Sequence, residues 1–207
     1  MNGVTKWWNN FTQQHPAAAK WIREGGLFLV FCYLVTFIKF LLLMFLPSMY
    51  HGLVGDVEWL WPGIPVSLFG VDFNLAILGN ALETNSVTGA FLVSSGLAYT
   101  LANFTAILFG ECINFPLQRN VTFKSHGPLA PQILCHFAAT VVVMLVMNLF
   151  TCVWNPVAVA VIPNEALRDT IKNIVTTVVT GGVSMVIIFA VDKTIFSPGF
   201  GQKVAAA

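Results

Sequence analysis

The stretch of residues 26–49, GLFLVFCYLVTFIKFLLLMFLPSM, carries a single charged side chain, Lys39, in an otherwise apolar run. A helix of roughly 20 predominantly apolar residues is long enough to cross the hydrocarbon core of a bilayer. The run is also longer than the roughly 7–15 apolar residues of a secretory signal, and residues 1–25 precede it. It therefore predicts a transmembrane helix that the protein retains.

Three further stretches have the same apolar character, at 89–113, 129–154 and 170–191. Across the whole chain 57% of residues are hydrophobic and only 9% are charged, and the mean hydropathy is +0.77. Soluble domains carry about 25% charged residues. We therefore expect an all-α membrane protein with four transmembrane helices. Its net charge of +1 gives no indication of a nucleic-acid partner.

The distribution of charge predicts the orientation, because lysine and arginine gather on the cytoplasmic side of a membrane. The loop at 50–88 contains no lysine or arginine and is acidic. The loop before the fourth span has two basic residues, offset by Glu165 and Asp169. Most basic residues fall on the other side, at Lys6, Lys20, Arg23, Arg119, Lys124, Lys193 and Lys203. We expect both termini in the cytoplasm.

The expected organisation is an N-terminal segment at 1–25, one membrane domain at 26–196 and a short tail at 197–207. The N-terminal segment mixes tryptophans with basic residues, which is typical of a segment at the membrane surface. The membrane domain consists of two related halves, whose second spans end in RNVTF at 119–123 and in DKTIF at 192–196. Both endings fall on the same side, so the halves would be parallel repeats, as in many transporters.

The first loop, at 50–88, is too apolar for a solvated linker and is interrupted by Pro62 and Pro65. Such a sequence favours short interfacial or re-entrant pieces, which occur where protein or a water-filled cavity covers the backbone. Trp59 and Trp61 in this loop have two interpretations. They could stack on a sugar ring, or they could belong to the outer aromatic belt of the membrane protein.

Two ionisable residues within the spans are candidate functional groups, because each is costly in lipid unless it is paired or solvated. Lys39 lies deep in the first span. The alternative to a functional role is that its side chain extends to the outer interface of the membrane. Glu111 lies late in the second span, more than about 10 Å below Lys39 by helical rise, so no direct ion pair is expected. The alternative for Glu111 is a structural pair with Arg119 or Lys193.

The sequence contains no recognisable catalytic or cofactor motif. The histidines have no metal-ligand spacing, and phosphate-binding glycine loops and GxSxG elbows are absent. The cysteines lie in or near the spans without CxxC spacing, which indicates free thiols. We expect neither enzymatic activity nor a cofactor.

The decapeptide NFPLQRNVTF at 114–123 resembles the signature of the GtrA-like family, in which the second helix ends in a pattern similar to Asn-Phe-x-x-Asn-Arg-x-Trp-Thr-Phe. Gln118 and Val121 depart from this pattern, and the long first loop is not typical of the family. The ending VDKTIF at 191–196 resembles the close of the family's fourth helix more weakly. The matching residues are Asn114, Phe115, Arg119, Thr122 and Phe123.

The resemblance implies a small protein of the cytoplasmic membrane that moves a polyprenyl-phosphate-linked sugar to the outer leaflet, for glycosylation of an envelope polysaccharide or teichoic acid. A separate membrane glycosyltransferase would make that lipid. An anionic, hydroxyl-rich headgroup needs cations and hydrogen-bond partners. Arg119 and Lys193 would receive the phosphate and Lys39 would hold it next. Asn114, Gln118 and Glu111 would bind hydroxyls.

Two other functions remain open from the sequence. The first is a small proton-coupled exporter of drugs or metabolites, in which Glu111 exchanges protons against a cationic substrate. Four-span exporters of that kind usually act as dimers, so a homodimer is among the expected assemblies. The second is a scaffold that holds the glycosyltransferase at the membrane without transporting anything.

Overall fold

The structure is a computed structural model that describes residues 3–82, 88–93, 95–164, 167, 171 and 174–200. These residues are mostly helical, and four helices are long and apolar enough to cross a membrane. The prediction of four membrane-length helices is confirmed. The expected start of the fourth span at 170, the basic residues Arg168 and Lys172, and tail residues 201–207 lie outside the described residues.

The helices and strands follow one another in a simple order. A short helix, α1 (Gly3–Gln14), precedes the long α2 (Pro16–Val54), and strands β1 (Trp59–Leu68) and β2 (Val71–Asn80) follow. The remaining helices are α3 (Gly96–Leu117), α4 (Leu129–Val161) and α5 (Ser184–Ile195). Two π-helical segments accompany them, at Gln118–Thr122 after α3 and at Thr177–Val183 before α5. The second continues directly into α5, so the fourth membrane-length helix runs over Ile174–Ile195.

Helix α2 contains both the first span and the second part, 16–25, of the expected interfacial segment, whose first part forms α1. It begins at Pro16, where a proline is tolerated because the first helical N–H has no partner to lose. It passes Pro47 without ending and stops at Gly55, whose φ of 68° suits glycine. On α1, Trp7, Trp8 and Phe11 pack against one another, with ring centroids 5.6 to 6.3 Å apart.

The first loop is not a set of interfacial or re-entrant pieces, as expected, but an antiparallel β-hairpin. Its two-residue turn is Phe69-Gly70, and both residues have positive φ, at 53° and 78°. This is the turn geometry that matches the twist of a hairpin. The prolines of β1 are accommodated because a two-stranded sheet leaves one edge of each strand unpaired.

The hairpin packs on the second half of α4 and on the start of α3. The backbone N–H of Ala76 donates to Cys152 Sγ at 3.3 Å, and that thiol donates to the carbonyl of Asn74 at 3.3 Å. Asn80 Nδ2 donates to Thr100 Oγ1 at 3.0 Å. These bonds hold the hairpin over the end of the bundle opposite to the ends of α3 and α5.

The two similar endings of the presumed halves meet at the other end of the bundle. The rings of Phe123 and Phe196 lie 5.5 Å apart, and both pack near the buried Phe115 and Ile195. Helix α3 reaches this end through a π-helical segment that begins shortly after Pro116. Proline lacks the N–H that would continue regular helical bonding, which explains the change of helix type here.

Candidate functional site

A chain of charged side chains joins the four spans inside the bundle. Lys39 of α2 donates from Nζ to Glu111 Oε1 of α3 at 2.7 Å. His136 of α4 lies between two carboxylates, with Nε2 3.2 Å from Glu111 Oε2 and Nδ1 2.7 Å from Asp192 Oδ1 of α5. We call these residues (Lys39, Glu111, His136 and Asp192) the charged cluster. Each spanning helix contributes one member.

The direct pair of Lys39 with Glu111 contradicts the expectation that their depths keep them apart. Gln118 Nε2 donates to the carbonyl of Phe28 at 3.4 Å, which fixes the level of α2 against α3. Counted by helical rise from this contact along each helix, the Cα atoms of Lys39 and Glu111 differ in height by about 6 Å. Helical side chains lean toward their own N-terminus. In antiparallel helices Lys39 and Glu111 therefore lean toward each other and close the gap.

Gly110 makes room for this contact. A Cβ atom at residue 110 would overlap Cε of Lys39 and would press on Cγ and Cδ of the same stem. The lysine side chain therefore crosses α3 over the one position where a methyl group is missing. The pair is screened from solvent, since the side chains of Lys39 and Glu111 are 24% and 8% exposed.

Glu111 is also held by neutral donors. Its Oε2 accepts from Asn114 Nδ2 at 3.0 Å, in addition to facing His136. Gln118 Nε2 donates to Asn114 Oδ1 at 3.1 Å and so fixes the amide that serves Glu111. The residues predicted to bind hydroxyls thus form one network, in which Asn114 and Gln118 orient the carboxylate.

The charged cluster can be electrically neutral. When both carboxylates are ionised, His136 donates from both ring nitrogens and carries a positive charge, so two cations balance two anions. Asp192 Oδ2 is buried and has no hydrogen-bond partner in the described part of the chain. A neutral but polar cluster is tolerated in a low-dielectric interior because its charges compensate one another.

A cavity of about 490 Å³ lies between the four spans and contains the exposed side of the charged cluster. We call it the membrane cavity. Its walls combine apolar side chains with hydroxyl and amide groups. The polar residues that line it are Lys39, Glu111, Asn114, Thr36, Asn103, Thr140, Asn148, Thr151, Thr176 and Ser184.

Arg119 and Lys193 lie apart from the membrane cavity. Arg119 donates to Gln132 Oε1 at 2.8 Å, to the carbonyl of Gly127 at 3.0 Å and to Asn120 Oδ1 at 3.0 Å. These bonds tie the end of α3 to the start of α4. The buried Gln132 continues the connection by donating to the carbonyl of Ile195 at 3.1 Å. Neither predicted alternative partner of Glu111 is in contact with it.

Lys193 lines a second cavity, of about 600 Å³, at the end of the bundle where α2 begins and α5 ends. We call it the end pocket. Lys193 donates to Glu24 Oε2 at 2.7 Å and lies over the ring of Trp21, 3.3 Å from its centroid. Lys20 approaches the other oxygen of Glu24 at 3.7 Å.

A layer of phenylalanine rings separates the two cavities. Phe28 lines the membrane cavity, whereas Phe123 and Phe196 line the end pocket. Phe189 connects them, with ring centroids 5.1 Å from Phe28 and 5.9 Å from Phe123. Phe115 extends the layer toward His136. We call these rings the aromatic layer.

Trp59 and Trp61 lie on β1, opposite Asn80 and Leu78 of β2. They line neither the membrane cavity nor the end pocket. Both indoles are partly exposed, Trp61 at 56%. Both interpretations of these residues, contact with a sugar and anchoring at the membrane surface, remain predictions.

His136 and Asp192 were not among the predicted site residues. Asp192 was quoted only within the DKTIF ending, and His136 was considered only as a metal ligand. The signal for both is their position: His136 lies inside the third apolar stretch and Asp192 directly follows the fourth, and ionisable groups in a membrane segment are functional candidates by default. Within the described ranges, no group of three or more histidine, cysteine, aspartate or glutamate residues is arranged to hold a metal ion.

Comparison with known proteins gave no match to a family model, to a curated protein or to a solved structure.

Proposed function

We propose that this protein translocates a polyprenyl-phosphate-linked sugar across the cytoplasmic membrane, for glycosylation of a cell-envelope polymer. The observation that carries the proposal is the membrane cavity, which places an amine, a carboxylate and several amides and hydroxyls between four membrane-length helices. The resemblance of residues 114–123 to the GtrA-like signature supports the same function.

The composition of the membrane cavity suits the headgroup of such a lipid. A sugar phosphate presents anionic oxygens and hydroxyls, and the lining offers the Lys39 ammonium for the first and Asn103, Asn148 and Thr151 for the second. The cavity volume falls within the roughly 300–1,000 Å³ of small-molecule sites. The apolar tail would stay in the surrounding lipid, which also solvates the exposed apolar faces of the spans.

The hydrogen bonds of Glu111 would allow the Lys39 ammonium to leave this carboxylate and bind an incoming phosphate. Lys39 contacts only Oε1, whereas Oε2 is held by Asn114 and faces His136. If Lys39 turned toward a phosphate, Glu111 would keep two compensating neighbours. This matters because an ionised carboxylate left without partners in a low-dielectric interior costs several kcal/mol.

Reconstitution in proteoliposomes tests the proposal. The lipid-linked sugar is incorporated into vesicles, and its outward movement is followed by access of an impermeant periodate to the sugar. We expect Lys39→Ala to reduce the rate at least about tenfold, in line with losing a charge-assisted bond of about 1.5–3 kcal/mol. Lys6→Ala, on the exposed α1, is the matched control and should move lipid at the wild-type rate.

The result that would contradict the proposal is a wild-type vesicle that moves the sugar lipid no faster than a protein-free vesicle. A Lys39→Ala protein with an undiminished rate would reject the role of the charged cluster. Size-exclusion chromatography of each variant separates a lost transport step from a lost fold.

The charged cluster itself favours a second candidate, proton-coupled export of a cationic compound. His136 bridges carboxylates on α3 and α5, an arrangement that can exchange protons between helices. Uptake into inverted vesicles distinguishes the candidates: the exporter needs a proton gradient and a cation, and Glu111→Gln abolishes its transport. Against it, Lys39 places a positive charge in the membrane cavity, which repels cations.

The scaffold function makes a different prediction. Co-purification with a polyprenyl-phosphate glycosyltransferase, together with no lipid movement by the isolated protein, would support it. Cross-linking in the same membranes would test the homodimer.

A further inference from the structure

We propose that the end pocket is a phosphate-binding site at which a lipid-linked sugar phosphate docks before it reaches the membrane cavity. This inference rests on the proposed function for its lipid, but the shared chemistry is the phosphate group itself. From the sequence we expect Arg119 and Lys193 to receive the phosphate. The site proposed here retains Lys193, does not include Arg119, and adds Lys20, Lys124 and His126.

The end pocket has a strong excess of positive charge. Lys20, Lys124 and Lys193 line it together with His126, and Glu24 is the one acidic residue among the described residues of its lining. In a chain with a net charge of only +1, this concentration of lysines is local. A phosphate carrying up to two negative charges would balance the excess.

Glu24 acts as the template that positions two of the lysines. Its carboxylate is buried, with a side chain 4% exposed, and it contacts Lys193 at 2.7 Å and Lys20 at 3.7 Å. Lys193 has three N–H donors, of which Glu24 uses one and the Trp21 face covers another side. The remaining donor capacity of both lysines is available to a ligand in the pocket.

Lys124 differs from Lys20 and Lys193 of the end pocket because it has no acidic partner within the described part of the chain. It follows the π-helical end of α3 with a φ of 50°, an uncommon backbone conformation for lysine. Its side chain lines the end pocket, and among the described residues it has no ion pair or hydrogen bond. An exposed lysine held at a cavity rim without a carboxylate is ready to pair with an anion.

The N-terminus of α4 adds to the positive charge of the end pocket. Gly127 and Pro128 line the end pocket directly before α4 begins at Leu129. The N-terminus of a helix carries a partial positive charge, and its free N–H groups favour phosphate. The rings of Phe123 and Phe196 add apolar surface to the lining of the end pocket.

Binding is tested with the full-length protein in lipid nanodiscs, by thermophoresis with farnesyl phosphate, inorganic phosphate and farnesol. We expect farnesyl phosphate to bind and uncharged farnesol not to bind. Lys124→Gln should weaken binding about fivefold and Lys193→Gln about tenfold, as expected for losing one charged contact each. Lys6→Gln, which removes the same charge outside the pocket, should change affinity by less than about twofold.

Glu24→Gln should change the affinity for farnesyl phosphate in the opposite direction. Glutamine keeps an oxygen that can accept from Lys193 but removes the negative charge of Glu24 from the pocket, so binding should strengthen while Lys124→Gln weakens it. Misfolding would weaken binding in both variants, so opposite changes distinguish a site from a damaged protein. Binding should also fall as salt is raised, since the contacts are partly exposed.

The outcomes identify the source of the phosphate. Tighter binding of farnesyl phosphate than of inorganic phosphate, sensitive to Lys124, supports docking of a lipid. Equal, Lys124-sensitive affinities support a phosphate site that serves soluble phosphates. Binding that is indifferent to Lys124→Gln and to Glu24→Gln overturns the site. If binding passes these tests but the proteoliposomes move no lipid, the proposed function fails and the site stands.

Discussion

At the scale of single residues, Gly110 and His136 decide how charge is accommodated between the spans. Gly110 admits the stem of Lys39, and His136 connects the carboxylates of α3 and α5. A glycine within an apolar run has several common explanations, and the position of His136 in an apolar run marks a candidate without showing which groups it joins. Their roles follow from what lies beside them on other helices.

Gly110→Ala should separate Lys39 from Glu111, because the new methyl group occupies the path of the lysine stem. We expect a loss of roughly 1–3 kcal/mol in the free energy of unfolding, the usual cost of overpacking. Thermal unfolding in detergent measures it. Gly26→Ala is the matched control, since a Cβ at this helical position meets nothing within 4 Å. Equal unfolding temperatures for both variants would contradict the prediction.

Asp192→Leu should destabilise the protein by roughly 3–5 kcal/mol, because it leaves the fully buried His136 without its closest partner. The double variant Asp192→Leu/His136→Leu should recover part of that loss, since two apolar side chains then replace the pair. Glu111 keeps Lys39 and Asn114 in this double variant. Additive losses in a double-mutant cycle would show that the pair is not coupled.

At the scale of elements, the hairpin and the spans differ in how readily the sequence predicts them. The spans were predicted because an apolar run of bilayer length has few alternatives. The hairpin was missed because Pro62 and Pro65 were considered only as interruptions of a span, whereas an unpaired strand edge accepts them. The depth argument for Lys39 and Glu111 counted only helical rise and ignored the direction in which helical side chains lean.

Phe69→Asn should stabilise the hairpin, because asparagine adopts a positive φ more readily than phenylalanine and suits this turn when glycine follows. The gain should be about 0.5–1 kcal/mol, measured as a higher unfolding temperature. Phe69 is 73% exposed, so little packing is lost. Gly70→Ala, which strains the same turn at a φ of 78°, should lower the unfolding temperature. Changes of the same sign in both variants would contradict this.

At the scale of the whole molecule, the four spans place chemically different surfaces at the two ends of the bundle. One end carries the hairpin, with its exposed aromatic residues. The other carries the basic end pocket, where α2 begins and α3 and α5 end. From the positive-inside rule we expect the basic end to face the cytoplasm.

Labelling intact cells with an impermeant maleimide tests this orientation. In a background without the four native cysteines, a single Phe69→Cys protein should be labelled from outside, because residue 69 is at the exposed tip of the hairpin. A single Lys124→Cys protein should be labelled only after the cells are permeabilised. The reverse pattern would place the end pocket outside and would make it a release site.

The aromatic layer has a consequence for the cell as a whole. A membrane that stores energy as a voltage is short-circuited by any continuous thread of water, and phenylalanine rings in edge and tilted contact between the two cavities would interrupt such a thread. Passage of a sugar headgroup would then demand that the rings part and reseal around it. While no headgroup is being moved, the closed rings would prevent leakage of the ion gradients on which the host cell depends.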